Sequence, residues 1–229
     1  MPKKILVSIT TMPKADWREQ IREINKLKLG ESALFLTCLK PKQRQELYKL
    51  LDKSTLKSIP FVHIRSDMQI WELDYLVKTY RAKVFNIHPV SQYALRYNLG
   101  KYINRIYIEN SYPKYREQEI EKFAGTCLDF SHLENDRIRR PKIFKHNIKI
   151  LEKYPPGCNH ISAVKNTAHV DGAGHKRYDD HILDNPSQID YLKKYPASYF
   201  SRFLAIELNN NIKDQLIAKS YLEKLKAGL

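Results

Sequence analysis

Eight short apolar runs, nearly all followed by a stretch with helical spacing, set the first constraint on this chain. The runs cover residues 4–8, 33–39, 59–64, 83–87, 105–108, 126–128, 158–163 and 202–206. They carry few alternating polar residues, as expected of parallel strands covered on both faces. Between them, helical spacing covers 17–29 (ending at Gly30), 41–51, 68–80, 92–102, 115–123 and 141–154, and 212–226 closes the chain. Strand–helix units repeated eight times predict a single (β/α)8 barrel over residues 1–229. One stretch, 165–200, reads as a long irregular loop with a short helix near 187–194. A loop of that length in a compact domain is usually functional.

If the chain is such a barrel, ligands bind where the strands end. The third strand ends on His63 and the fourth on Asn86-Ile-His88. The fifth ends on Glu109. The sixth ends on Cys127-Leu-Asp129, with His132 expected in the loop beyond. The seventh carries His160 and the eighth runs into Glu207. Burying a charge at the mouth of an apolar strand is costly without a counter-charge. Three carboxylates and four imidazoles at one end therefore point to a cation, and mixed His and carboxylate ligands suit zinc, manganese or iron. The long loop adds Asp179 and His181, with Asp171, His169 and His175 as further candidates. Nine ligands exceed the four to six of a single ion and fit two or three. His146 reads as a helix surface residue, and Tyr93, Tyr97 and Tyr102 as helix packing.

Composition bounds the partners. Forty Lys and Arg against 25 Asp and Glu leave a formal charge of +15, spread along the chain. That balance favours a polyanion such as DNA, and equally describes a lysine-rich surface. The chain is 42% hydrophobic, with 15 Tyr and 8 Phe, yet no apolar run is long enough to span a membrane. The N-terminal stretch lacks the apolar core of a signal peptide. Three scattered cysteines, Cys38, Cys127 and Cys158, read as reduced, buried thiols, so a cytoplasmic location is expected.

These motifs resemble the xylose isomerase-like barrels, and within them endonuclease IV. Asn86-Ile-His88-Pro-Val-Ser91 resembles that family's N-x-H-P-x-S, and Glu109-Asn110-Ser111 its E-N-T. Cys127-Leu-Asp129-Phe-Ser-His132 resembles C-I-D-x-x-H, and the segment from His160 to Lys165 resembles H-L-x-x-x-K. Asp179-Asp-His181 resembles D-x-H, and Glu207 to Asn210 resembles E-x-x-N. The resemblance implies that Glu109 bridges two metals and that His63 and His88 complete the first site. Asp129, His160 and Glu207 complete the second, while His132, Asp179 and His181 hold a third. It also implies metal-assisted cleavage of DNA at abasic sites, with Glu109, Glu207 and His132 in the catalytic set. Two stretches depart from the pattern: Ile182-Leu-Asp-Asn-Pro186 replaces a glycine-rich L-G-x-G, and His63-Ile-Arg-Ser66 lacks the Tyr of H-x-x-Y. The chain is also shorter than the family's usual length.

Three other readings remain. A sugar isomerase or epimerase would need one ion on Glu109, Asp129, His160 and Glu207. There the two glutamates would move a proton and His132 would orient a small sugar. A multinuclear iron oxidase acting on peptides uses a similar ligand set. A non-catalytic nucleic-acid-binding barrel would keep the ligands as vestiges.

Overall fold

The structure, a computed structural model, describes residues 3–172 and 174–227, so Met1 and Pro2 of the N-terminal reading lie outside it. The first stave is split: β1 (Lys4–Leu6) pairs in parallel with the last barrel strand, Phe203–Ile206, whereas β2 (Ser8–Thr10) pairs with β3 (Ala33–Phe35). Between them run β4 (Phe61–His63), β5 (Val84–Ile87), β6 (Ile106–Glu109), β7 (Thr126–Asp129) and β8 (Pro156–Ile161), each parallel to its neighbour. The nine hydrogen-bonded segments thus amount to eight staves, because β1 and β2 are halves of one, and the sheet returns on itself. This is the expected (β/α)8 barrel.

Period-two alternation then sets the site. Phe61, Val84, Cys127, Cys158 and Ala205 form one buried cluster with Tyr107 against it, separate from the larger core. Two residues further along each strand, on the same face, stand His63, Asn86, Asp129, His160, Glu207 and Glu109. The apolar cluster plugs the barrel, and the polar residues are the next layer towards its C-terminal mouth.

Outside the barrel lie α1 (Trp17–Lys26), α2 (Pro41–Leu51), α3 (Ile70–Tyr80), α4 (Glu117–Ile120), α5 (Phe130–Arg139), α6 (Pro141–Lys153) and α7 (Ile212–Ala227). Several boundaries differ from the sequence reading. The first helix stops at Lys26, because Lys28 adopts φ 53°, and not at Gly30. Residues 92–102 do not form a helix. Turns lead instead to a 3-10 segment, Gly100–Arg105, and the Asn98 side chain accepts from Gly100 N at 2.7 Å. A short polar side chain that bonds its own backbone competes with helix. Tyr102 is buried, but Tyr93 and Tyr97 are exposed and do not pack as helix residues.

The helix expected over 115–123 shrinks to α4, four residues long. In contrast, α5 begins where a loop was expected. Asp129 caps it by accepting from His132 N at 2.8 Å, which puts His132 on the first helical turn. Its buried residues include only two apolar ones, Phe130 and Leu133, beside Ser131, Glu134, Asn135 and Asp136, so no apolar stripe announced it. The supposedly irregular stretch after 165 contains an antiparallel hairpin, β9 (Ala163–Val170) with β10 (Lys176–Asp180), then a 3-10 segment, Pro186–Lys194. Phe203–Ile206 is therefore β11. Cys127 and Cys158 are buried as expected, but Cys38 is exposed. Among the described residues, no helix is long and apolar enough to cross a membrane.

Candidate metal centre

The layer above the barrel plug brings the expected quartet together. His160 Nδ1 lies 3.2 Å from Glu207 Oε2, 3.5 Å from Glu109 Oε2 and 3.8 Å from Asp129 Oδ2. None of these contacts is aligned as a hydrogen bond. Both His160 nitrogens, Asp129 Oδ2 and Glu207 Oε2 are buried without a hydrogen-bond partner. His63 Nδ1 is also without one. Buried polar atoms left unmatched cost about 1–3 kcal/mol each. Ligands at about 2.0–2.3 Å from a tetrahedral ion stand about 3.3–3.8 Å apart, so these separations and this donor chemistry fit a divalent cation.

Glu109 divides its oxygens. Oε2 accepts from Asn86 Nδ2 at 2.7 Å and lies 3.6 Å from His63 Nε2 and 3.5 Å from His160 Nδ1. Oε1 faces His88 Nε2 at 3.9 Å and His132 Nδ1 at 3.7 Å. Three triads each bring ligand atoms to within 4.8 Å of one another: His63, Glu109, His160; Glu109, Asp129, His132; and Asp129, His160, Glu207. Members shared between triads are what closely spaced ions require.

The electrostatics follow from crowding. Burial pushes the Glu109 carboxyl up to about 7; His160 opposes this and Glu207 adds to it. Burial also disfavours charge on Asp129, but His132, His160 and hydrogen bonds from Ser131 and the His132 backbone hold it at about 2. His160 is desolvated as well, yet Glu109, Glu207 and Asp129 raise it to about 10. Burial lowers His88 to about 4, with the charges of His132 and His160 acting in the same direction and Glu207 and Asp129 against it. Without a metal, protonated imidazole supplies the missing positive charge.

The third set is looser. His132 Nε2 stands 3.4 Å from Asp179 Oδ2. The backbone carbonyl of Asn110 lies 3.0 Å from His132 Nδ1, and that of Glu207 lies 3.2 Å from His181 Nδ1. A carbonyl only accepts, so each neutral ring carries its proton on Nδ1 and leaves Nε2 free as a ligand atom. Asp179 is already bound by the Arg177 guanidinium, through Nε at 3.0 Å and through Nη2. His169 is exposed on β9, and His175 stacks on Tyr112 with ring centroids 4.0 Å apart. His146 is half-buried rather than a surface residue, with Nε2 2.8 Å from Tyr115 O.

Sequence reasoning missed the groups that aim the ligands. Asn110 pairs with the Asp129 backbone, accepting from its N–H at 2.6 Å and donating to its carbonyl at 2.8 Å. Ser162 donates to Ser131 Oγ at 2.6 Å, and Ser131 donates to Asp129 Oδ1 at 2.6 Å. Asn86 and Asn110 stand inside the quoted motifs, so those motifs were the available signal. A cavity of about 320 Å³ opens over the cluster, lined by Cys38, Arg65, His88, Tyr93, His132 and His181 among others.

Fold and site together define the class: a (β/α)8 barrel with the donor set of a metal centre at the C-terminal mouth of its strands. Among the solved structures similar to this chain are two that span nearly the whole molecule. One is the IolI protein in a crystal structure with a bound zinc atom, 12% identical, TM-score 0.47, covering 97% of this chain and 95% of that one. The other is an AP endonuclease, family 2, from Brucella melitensis, 10% identical, TM-score 0.44, covering 94% of this chain and 97% of that one. No family model and no curated protein matches the chain.

Proposed function

We propose that this protein is a metal-dependent phosphodiester hydrolase acting on DNA at abasic or otherwise damaged nucleotides. The observation that carries the reading is the position of Glu109, whose buried carboxylate lies within 4 Å of four imidazoles, those of His63, His88, His132 and His160, and belongs to two of the three ligand triads. His63 and His88 would hold one ion with Glu109. Asp129, His160 and Glu207 would hold the second with it, and His132, Asp179 and His181 a third. Divalent ions there, zinc first and manganese or iron as alternatives, would supply Lewis-acid polarisation of a phosphoryl oxygen and activation of water at neutral pH.

The chain's own residues supply the rest. Asn86 fixes one Glu109 oxygen, and Asn110 and Ser131 fix Asp129, so the carboxylates keep their spacing. The +15 charge supports a phosphate-bearing substrate. The cavity suits one extruded nucleotide rather than a duplex. The test is incubation of the metal-replete protein with a duplex containing a single abasic site. Cleavage that weakens steeply with salt is expected. Intact DNA, with turnover of a ketose or aldose instead, would overturn the reading.

A single-ion sugar isomerase is the second reading, favoured by one observation. Glu109, Asp129 and Glu207 converge on one imidazole, that of His160, beneath a small-molecule-sized cavity. Metal content separates the readings: two or three zinc support the nuclease, one ion the isomerase, several iron the oxidase, and none a binding module.

Metal loading has its own pH signature. His160 at about 10 and Glu109 at about 7 both hold protons that a cation must displace. The loaded state then binds fewer protons, so affinity is expected to rise with pH across 6–8. Calorimetric titration of zinc at pH 7, in buffers of different ionisation enthalpy, should show release of at least about one proton per chain. Zero release would remove this account of the site.

A further inference from the structure

The loop after β5 leaves two tyrosine rings in solvent, one of them at the cavity wall. Tyr93 is 51% exposed and Tyr97 46% exposed. Tyr93 lines the cavity, its ring centroid 5.6 Å from that of His88. The loop is anchored on both sides. Arg96 N donates to Ser66 O at 2.8 Å, which ties it to the loop after β4. Ser111 Oγ donates to Gln92 Oε1 at 3.1 Å, which ties it to the loop after β6. Exposed aromatic rings on an anchored loop lose little conformational freedom when something stacks on them.

Unpaired basic side chains lie on this loop and on the loop after β6. Arg96, between the two tyrosines, is exposed and makes no ion pair with a described residue, although its charge is felt by Asp67. Lys114 and Arg116, on the neighbouring loop, are exposed and unpaired in the same sense. Tyr112 is different. Arg140 lies 4.0 Å over its ring and His175 stacks on it, so its faces are taken.

We propose that Tyr93 and Tyr97, with Arg96 between them, form a stacking platform for unpaired bases of a DNA strand whose backbone passes over the cavity. The proposal rests on the DNA reading above and names the surface that would hold the strand. Aromatic faces accept any base once it is unstacked, and a basic side chain between them tracks the phosphates.

The test is fluorescence anisotropy with a labelled twelve-nucleotide oligothymidylate. Tyr93→Ala and Tyr97→Ala should each weaken binding about tenfold, while Tyr→Phe at either position stays within about twofold. The tyrosine variants should keep the salt slope, whereas Arg96→Ala lowers it by about one. Unchanged metal content in each variant shows that the centre beneath is intact. Alanine variants that bind as wild type, or phenylalanine variants that lose as much, overturn the platform. If wild type binds no oligonucleotide, the platform is overturned as well. Tyr-dependent binding without abasic cleavage keeps the platform and removes the hydrolase. Cleavage unaffected by the tyrosine variants does the reverse.

Discussion

Glu109→Gln is expected to reduce turnover by on the order of 10³-fold, equivalent to about 4 kcal/mol of transition-state stabilisation, while leaving the fold intact. The side chain keeps its volume, and Asn86 Nδ2 can still donate to an amide oxygen where it now donates to Oε2. What disappears is a charge facing two imidazole sets, so the protein should lose at least one bound ion. Without metal the sign reverses. The Glu109 carboxyl, raised to about 7 from an ordinary 4.5, adds most to folding at acid pH, and that contribution is lost as pH rises through 7. Under chelation, Glu109→Gln should therefore be more stable than wild type at pH 8, and that advantage should vanish near pH 5. Ion content, turnover and thermal midpoints at the two pH values check all three. A variant that keeps full metal content and activity would show that Glu109 is not the bridge.

The second large effect lies below the mouth. Arg44, on α2, is 1% exposed. It holds Glu72 of α3 through Nε at 2.7 Å and Nη2 at 2.9 Å, Asp67 at 3.1 Å and the Leu39 carbonyl at 3.0 Å. Tyr48 Oη adds a bond to Glu72 at 2.8 Å. Arg44→Ala leaves the Glu72 carboxylate buried with its cation gone, and should cost about 3–5 kcal/mol. Against a typical total of about 5–15 kcal/mol, that is a large share. Arg44→Met with Glu72→Leu should recover most of it, because apolar residues of similar size remove the stranded charge. Urea midpoints for the single and double variants are the measurement. A loss below about 1 kcal/mol in Arg44→Ala would mean that water reaches Glu72 and the network is not sealed. Asp67 also binds Arg65, which lines the cavity, so the same variant should loosen one wall of the site.

The errors in the sequence reading have physical causes. The segment at 92–102 has apolar residues at helical spacing, but Asn98 bonds the Gly100 amide and turns the chain out of the helix. At α5 the reverse happened. Four of its six buried residues are polar, so the usual periodicity is missing, and Asp129-Phe-Ser-His132 looked like a loop when it is a capped first turn. The hairpin of β9 and β10 escaped because its strands are only half buried and lack an apolar face.

Eight apolar runs with intervening helical spacing were sufficient, by themselves, to determine the barrel. Its closure needs only parallel strands buried on both faces and connected by short crossovers. The ligand candidates were equally legible, because period-two alternation places His63, Glu109, Asp129, His160 and Glu207 one step beyond the barrel's apolar plug. Which of them share an ion was not legible, since that depends on register between strands far apart in the chain, such as Asp129 beside His160. Nor could sequence show that Glu109 splits its oxygens between two imidazole sets, that Arg177 already holds Asp179, or that Tyr93 and Tyr97 stand in solvent, with Tyr93 against the cavity. Distances between side chains and the burial of loop residues are set by how the staves shear and how the loops pack on one another, and only the tertiary structure decides those.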